Sequence, residues 1–164
     1  MIAGVGIDLV SLPDFAQQLQ QPGSAFVSLT FTERERSDCG AAATRTQRLG
    51  ARFAAKEAFI KAWSGARLGF GPDLSPAAVD FREIEVRHDD YGRPFLGLHG
   101  TVRNRVTQSL GAVDAQLSMS HEPELATAIV TLTQLADSNE AASPSGNQKG
   151  RTSRRETPIR PRTS

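Results

Sequence analysis

The chain has 164 residues, enough for one domain with its own core. Its hydrophobic content, 38%, is low for a chain that packs along its whole length. The net charge of +1 is unevenly spread: from Asp137 onward six Lys or Arg stand against three acids, so the body before it is slightly acidic, which argues against nucleic acid as a partner. No apolar run approaches the ~20 residues of a membrane span. The start, MIAGVGIDLV, has no basic region and meets Asp8 too early for a secretory signal. One cysteine, Cys39, leaves no intramolecular disulfide and fits a cytoplasmic location.

Residues 2–10 read as a strand, with Ala3, Val5, Ile7 and Leu9 on one side and Gly4, Gly6, Asp8 and Val10 on the other. The two glycines weaken a strand but let another group approach its backbone. An aspartate inside a strand is disfavoured and asks for a reason. Pro13 ends the strand, residues 14–20 start a short helix, and Pro22-Gly23 breaks the chain. Thr32 followed by Glu35 fits a capping box with Phe31 at the staple position, so a short polar helix is expected over 33–40. The stretch 51–63, ARFAAKEAFIKAW, has no Gly or Pro and is rich in strong helix formers. It predicts the main helix, beginning between Thr44 and Arg48 and ending at Gly65.

Residues 66–79 make a long connection containing Gly69, Gly71, Pro72 and Pro76, of the kind that is usually functional or mobile. Residues 81–87 and 94–99 read as strands joined by the turn Asp89-Asp90-Tyr91-Gly92. Val102, Val106 and Leu110 stand at helical spacing over 101–110, and Gly111 stops that helix. Residues 113–120 and 125–133 form a second hairpin around His121-Glu122-Pro123-Glu124. From 137 to 164 the chain is rich in Ser, Thr, Pro, Arg and Asn with almost no large apolar side chain, a composition that predicts a disordered basic tail.

Three constellations bear on chemistry. Asp8 and Glu57 are two carboxylates with few companions, which suits a hard cation such as Mg²⁺ completed by water and substrate phosphate. Spacing alone equally allows Asp8 to bond a turn and Glu57 to be solvated. Glu57 and Lys61 are four residues apart, so they share a helix face, as an ordinary surface ion pair would. Arg45, Arg48, Arg52, Lys56 and Lys61 are cations that could hold phosphates or simply be a solvated face. His121, in SMSHE, stands at a strand end, where it could bind phosphate or act as a base. His88 and His99 have less around them, and no His or Cys spacing suits zinc. Gly4-x-Gly6 lacks the third glycine of a dinucleotide fingerprint, since position 9 is Leu9, and there is no P-loop sequence.

The motifs GVGIDLV (4–10), FTERE (31–35), RFAAKEAFIKA (52–62), GRP (92–94) and SMSHE (118–122) occur in an order that resembles the holo-[acyl-carrier-protein] synthases of the 4′-phosphopantetheinyl transferase superfamily. RFAAKEAFIKA is the most specific of them, and the resemblance covers residues 1–133. It implies an α+β fold, a small mainly antiparallel sheet packed around a long central helix, with a transferase domain over 1–136 and the tail at 137–164. It implies transfer of the 4′-phosphopantetheine arm of coenzyme A to a serine of apo-acyl carrier protein, releasing adenosine 3′,5′-bisphosphate and activating fatty acid biosynthesis. Asp8 and Glu57 match the magnesium ligands, and Lys61 matches the lysine on the CoA phosphates. Arg52, Phe53, Gly92, Arg93, Pro94 and His121 match positions that line the CoA site. Members are usually homotrimers with sites between subunits. Asp14 stands where an arginine that docks the carrier is common, and Ser11 where glutamate is usual, so the resemblance leaves the details of carrier docking open while the implied chemistry stands. The competing expectation is a degenerate, non-catalytic module that binds CoA or carrier without transfer; a Mg²⁺-dependent phosphate-ester hydrolase is a third.

Overall fold

The computed structural model describes residues 1–40, 42–71 and 78–135, leaving aside the side chains of positions 42 and 43. The expected tail from residue 137, and residues 72–77 of the long connection, lie outside the described residues. The elements in order are β1 (Ile2–Ser11), α1 (Leu12–Gln20), α2 (Phe26–Thr30), α3 (Glu33–Asp38), α4 (Ala42–Ala66), a 3₁₀ turn (Phe81–Glu83), β2 (Ile84–His88), β3 (Pro94–Leu98), α5 (Gly100–Leu110), β4 (Val113–His121) and β5 (Leu125–Gln134). All strand pairs are antiparallel. They form a three-stranded sheet in the order β1-β5-β4 and a separate two-stranded sheet of β2 and β3. This is the expected α+β architecture, with its strands divided between two sheets.

Helix α4 is the axis of the molecule. Leu49, Ala54, Ala55, Ala58, Phe59 and Ala62 are buried, and so are Arg52 and Lys56. It is therefore enclosed on most sides rather than amphipathic at a surface. The helix starts earlier than the sequence suggests, at Ala42, and runs through Gly65 to Ala66. Gly65 is on an exposed side, where glycine costs a helix only about 1 kcal/mol, too little to end 25 residues of packed helix. The sequence reading also passed over α2, five residues whose N-cap, Ala25, makes no capping bond.

The contact that sets the architecture is between two backbones. The inner face of β1 carries Gly4 and Gly6, and a Cβ at either would overlap α4, at the carbonyl oxygens of Ala62 and Ala58 respectively. Only glycine allows this approach. The opposite face of β1, with Val5, Ile7 and Leu9, is exposed.

A second organiser is the capping box of α3, present as expected. The Glu35 amide donates to Thr32 Oγ1 (3.1 Å) and the Thr32 amide to Glu35 Oε2 (2.9 Å). Glu35 is fully buried because it does more than cap. Its Oε2 accepts from Lys56 Nζ (2.8 Å) and its Oε1 from the Val86 amide (3.0 Å). Lys56 spends its other two protons on the carbonyls of Thr30 (2.9 Å) and Phe81 (2.8 Å). Lys56 is thus a structural cation joining α4, α3 and the β2 region, and not a phosphate ligand. Burial pulls its pKa down and Glu35 opposes that shift. Phe53 joins Phe15, Phe26 and Phe81 in an aromatic cluster with ring centroids 5.6–5.9 Å apart.

The glycine contact makes a contrast prediction. Gly6→Ala is expected to lose about 1–3 kcal/mol of stability through overpacking, whereas Gly65→Ala, where a Cβ meets nothing closer than 3.9 Å, is expected to be neutral or gain up to about 1 kcal/mol. Urea unfolding of the two variants measures this; equal effects would contradict the close-packing account.

Candidate active site

Alternation along β1 puts Asp8 on the same inner face as Gly4 and Gly6. The glycine contact at Ala58 and Ala62 brings that face against α4, so Asp8 meets Lys61 and Glu57 on the neighbouring positions of the same turns. There Lys61 Nζ donates to Asp8 Oδ1 at 2.7 Å and to the Ile7 carbonyl at 3.3 Å. Lys61 thus pairs with Asp8, not with Glu57 as helical spacing alone would suggest. The pair is uneven: the Asp8 side chain is 14% exposed and that of Lys61 is 53% exposed. The hydrogen bond to Asp8 holds the Lys61 pKa above its ordinary value. Glu57 faces the same place. Partial burial, then the charge of Asp8, push its pKa up, while Lys61 pulls it down.

Two carboxylates that repel each other, beside a half-exposed ammonium, make a place where a divalent cation would be stabilising. The donor set is all oxygen and small, which fits Mg²⁺ held by one or two carboxylates with substrate phosphate and water. Among the described residues no group of three or more His, Cys, Asp or Glu is gathered for a metal, so a cation held by Asp8 and Glu57 would be completed by water and substrate phosphate.

Beyond this cluster along α4 lies a pocket of about 640 Å³. Arg34 and Asp38 of α3, Arg48, Ala51 and Arg52 of α4, and His88 at the end of β2 line it. Gly92, Pro94 of β3, and Met119 and His121 of β4 complete it. The hairpin β2–β3 is closed by Asp89, which accepts from the amides of Tyr91 and Arg93 (both 2.9 Å) and from Arg93 Nε (2.6 Å). That closure places Gly92 and Pro94 at the pocket edge. Arg52 is only 4% exposed, gives Nη1 to the Arg48 carbonyl at 3.3 Å, and has no partner for its buried Nε. An orphaned guanidinium proton in a cationic pocket is a place for an anion.

Four of the sequence-predicted site residues, Arg52, Gly92, Pro94 and His121, therefore converge on one pocket, and Asp8, Glu57 and Lys61 on a neighbouring cluster. Phe53 and Arg93 do not line this pocket: Phe53 is in the aromatic cluster, and Arg93 is exposed, bound to Asp89 and stacked over Tyr91. His88 was passed over in the sequence. Its signal is register, since His88 pairs with Pro94 once the hairpin closes around GRP.

A family profile described as "ACPS: 4'-phosphopantetheinyl transferase superfamily" matches residues 4–129. The holo-[acyl-carrier-protein] synthase of Mycobacterium ulcerans is 47% identical over 132 residues, covering 80% of this chain and 96% of that protein. This chain belongs to the holo-[acyl-carrier-protein] synthases of the 4′-phosphopantetheinyl transferase superfamily. The fold agrees. An acyl-carrier-protein synthase solved as a CoA complex from Chronobacterium ammoniagenes superposes with a TM-score of 0.76 at 45% identity, over 80% of this chain and 97% of that one. The Mycobacterium tuberculosis acyl carrier protein synthase gives a TM-score of 0.63 at 41% identity, over 82% of this chain and 100% of that one. The matched range contains Gly4, Gly6, Asp8, the α4 motif and the β2–β3 hairpin. Among the described residues, no helix is long and apolar enough to cross a membrane.

The Glu57 environment predicts a pH effect. A carboxyl whose folded pKa is raised favours the native state at low pH, and that contribution is lost as pH rises from the unfolded carboxylate range through the folded pKa. Glu57→Gln is therefore expected to gain stability relative to the parent chain as pH rises through that window. Thermal melts across the acid range without divalent metal check this. A constant difference would show that Glu57 is not strained by Asp8 and burial.

Proposed function

We propose that this chain moves the 4′-phosphopantetheine arm of CoA onto a serine of apo-acyl carrier protein, releasing adenosine 3′,5′-bisphosphate and so activating the carrier for fatty acid biosynthesis. The observation that carries this is the juxtaposition, in a chain of this family, of the Asp8–Lys61–Glu57 cluster with a cationic pocket that leaves a buried Arg52 proton unpartnered. Asp8 and Glu57 are the residues that would hold Mg²⁺. When bound, it would withdraw charge from the CoA pyrophosphate and favour in-line attack by the carrier serine. Lys61, bound to Asp8 in the free chain and half exposed, is free to turn to the leaving phosphate and neutralise it. Arg52 and His121 hold anionic groups of CoA, and Gly92 and Pro94 shape the edge of its site. No covalent intermediate on the enzyme is required, since the acceptor hydroxyl belongs to the carrier.

A homotrimer with sites between subunits is part of the same proposal. Its support is the outer face of the three-stranded sheet, where Val5, Ile7 and Leu9 of β1 and Ile129 of β5 are exposed and Ile7 pairs with Ile129 in register. Such a contiguous apolar row suits contact with another copy. Cytoplasmic location is likewise proposed.

The transfer reading is tested by incubating apo-carrier, CoA and Mg²⁺ with the protein and weighing the carrier by mass spectrometry. The pantetheine mass is expected with the parent chain and is expected to vanish with Asp8→Ala or Glu57→Ala while the fold persists. Lys61→Ala is expected to slow turnover on the order of 100-fold or more with little change in melting temperature. CoA binding with no carrier mass change would favour the non-catalytic module instead. For the assembly, light scattering of Ile7→Glu is expected to show monomers where the parent chain forms trimers; a monomeric parent chain would refute the trimer.

A further inference from the structure

The acceptor hydroxyl belongs to another protein, so that protein's surface has to lie over whatever surrounds Asp8, Glu57 and Lys61. A specific protein contact covers about 800 Å² on each partner, a disc reaching roughly 16 Å from its centre. Helix α1 falls inside that reach: Leu12, its first residue, follows Asp8 by four residues on the same chain, about 13 Å at strand rise. This adjacency is covalent and holds whichever copies contribute to the site. Leu12 and Phe15 are buried, and a Cβ at Gly50 of α4 would meet both, so α1 is seated on α4 with its other face in solvent. That face is Pro13, Asp14, Gln17, Gln18 and Gln20, all exposed. From Leu9 to Thr32 the only charged side chain is Asp14. The β4–β5 turn abuts the start of α1, where the Leu12 amide donates to the Glu124 carbonyl at 2.8 Å, and it adds exposed Glu122 and Glu124. Among the described residues none of these carboxylates is in a salt bridge. Helices α1 and α2 therefore offer amides, hydroxyls and a carboxylate with no Lys or Arg, and Lys61 beside them is bound to Asp8.

We propose that the exposed face of α1 selects the acceptor protein, taking one that presents amide, hydroxyl or cationic groups beside its serine and disfavouring one that presents carboxylates there. The inference rests on the proposed transferase reading and sharpens its partner. Glutamine amides both donate and accept, so a neutral surface finds a partner at Gln17, Gln18 and Gln20, and a cation finds one at Asp14. A carboxylate-rich surface would instead set like charges against Asp14, Glu122 and Glu124. Such a juxtaposition weakens the complex and slows encounter, and salt relieves it by screening.

The probes are an apo-acyl carrier protein with carboxylates beside its serine and a neutralised form of it, in which the exposed Asp and Glu within about 16 Å of the serine become Asn and Gln. Circular dichroism melts confirm that both carriers are folded. KM for each carrier is measured with the full chain at saturating CoA and Mg²⁺, following carrier mass. The parent chain is expected to have a KM on the order of fivefold lower for the neutralised carrier, with kcat changed less. Its KM for the acidic carrier should fall as salt rises from about 20 to about 200 mM. Asp14→Arg should lower KM for the acidic carrier on the order of fivefold and reverse the salt response, with Asp14→Asn between the two. What a neighbouring copy adds weighs equally on parent and variant, so their difference reads α1. A parent chain that prefers the acidic carrier, or an Asp14→Arg that moves neither KM nor its salt response, would overturn the inference and leave the transferase reading intact. No mass gain on either carrier would overturn both.

Discussion

The direct seating of β1 on α4 is the constraint on which the site depends. Gly4 and Gly6 let a strand backbone lie against the carbonyls of Ala58 and Ala62, closer than any side chain permits. Because strand side chains alternate, the same contact fixes where Asp8 points. Because helix positions recur every 3.6 residues, it also fixes that Glu57 and Lys61 are what Asp8 meets. Two carboxylates and an ammonium from distant parts of the chain are thereby held on rigid elements, as a charged reaction centre requires.

The Glu35–Lys56 pair does the corresponding work for the other side of α4. It is a buried ion pair whose charged atoms are met by backbone partners from three elements, the condition under which such a pair is tolerated. Through it, α3 is locked to α4 and to β2, and those three elements carry Arg34, Arg48, Arg52 and His88 around the pocket. The Asp8-bound and structural lysines of α4 are thus five residues apart with opposite environments, Lys61 half exposed and Lys56 in the interior.

Features written locally were legible in the sequence. The strand with its glycine face and the Thr32–Glu35 box depend on neighbours within a few residues and stand as expected; both hairpins form, but the first begins its strand at Ile84, because Phe81–Glu83 is a 3₁₀ turn where the alternation suggested strand. The glycines even announced that a backbone would come close. What was not legible depends on distant partners. Lys56 and Lys61 look alike in the helix, and only Glu35, 21 residues before Lys56, and Asp8, 53 residues before Lys61, separate them. The start of α4 at Ala42 and its passage through Gly65 reflect tertiary packing that outweighs local stop signals. Phe53 belongs to a ring cluster assembled from Phe15, Phe26 and Phe81, none of them near it in sequence. His88 became part of a pocket only through hairpin register.

On the proposed reading, Asp8 and Glu57 form one cation site because β1 lies on α4. Titrating the CoA-loaded protein with Mn²⁺ in place of Mg²⁺ and following paramagnetic broadening of assigned amide signals measures this directly. Broadening is expected to centre on Asp8 and Glu57 and to spread along β1 and α4 from their point of contact. Broadening centred elsewhere, or none at Mn²⁺ concentrations that saturate activity, would contradict it.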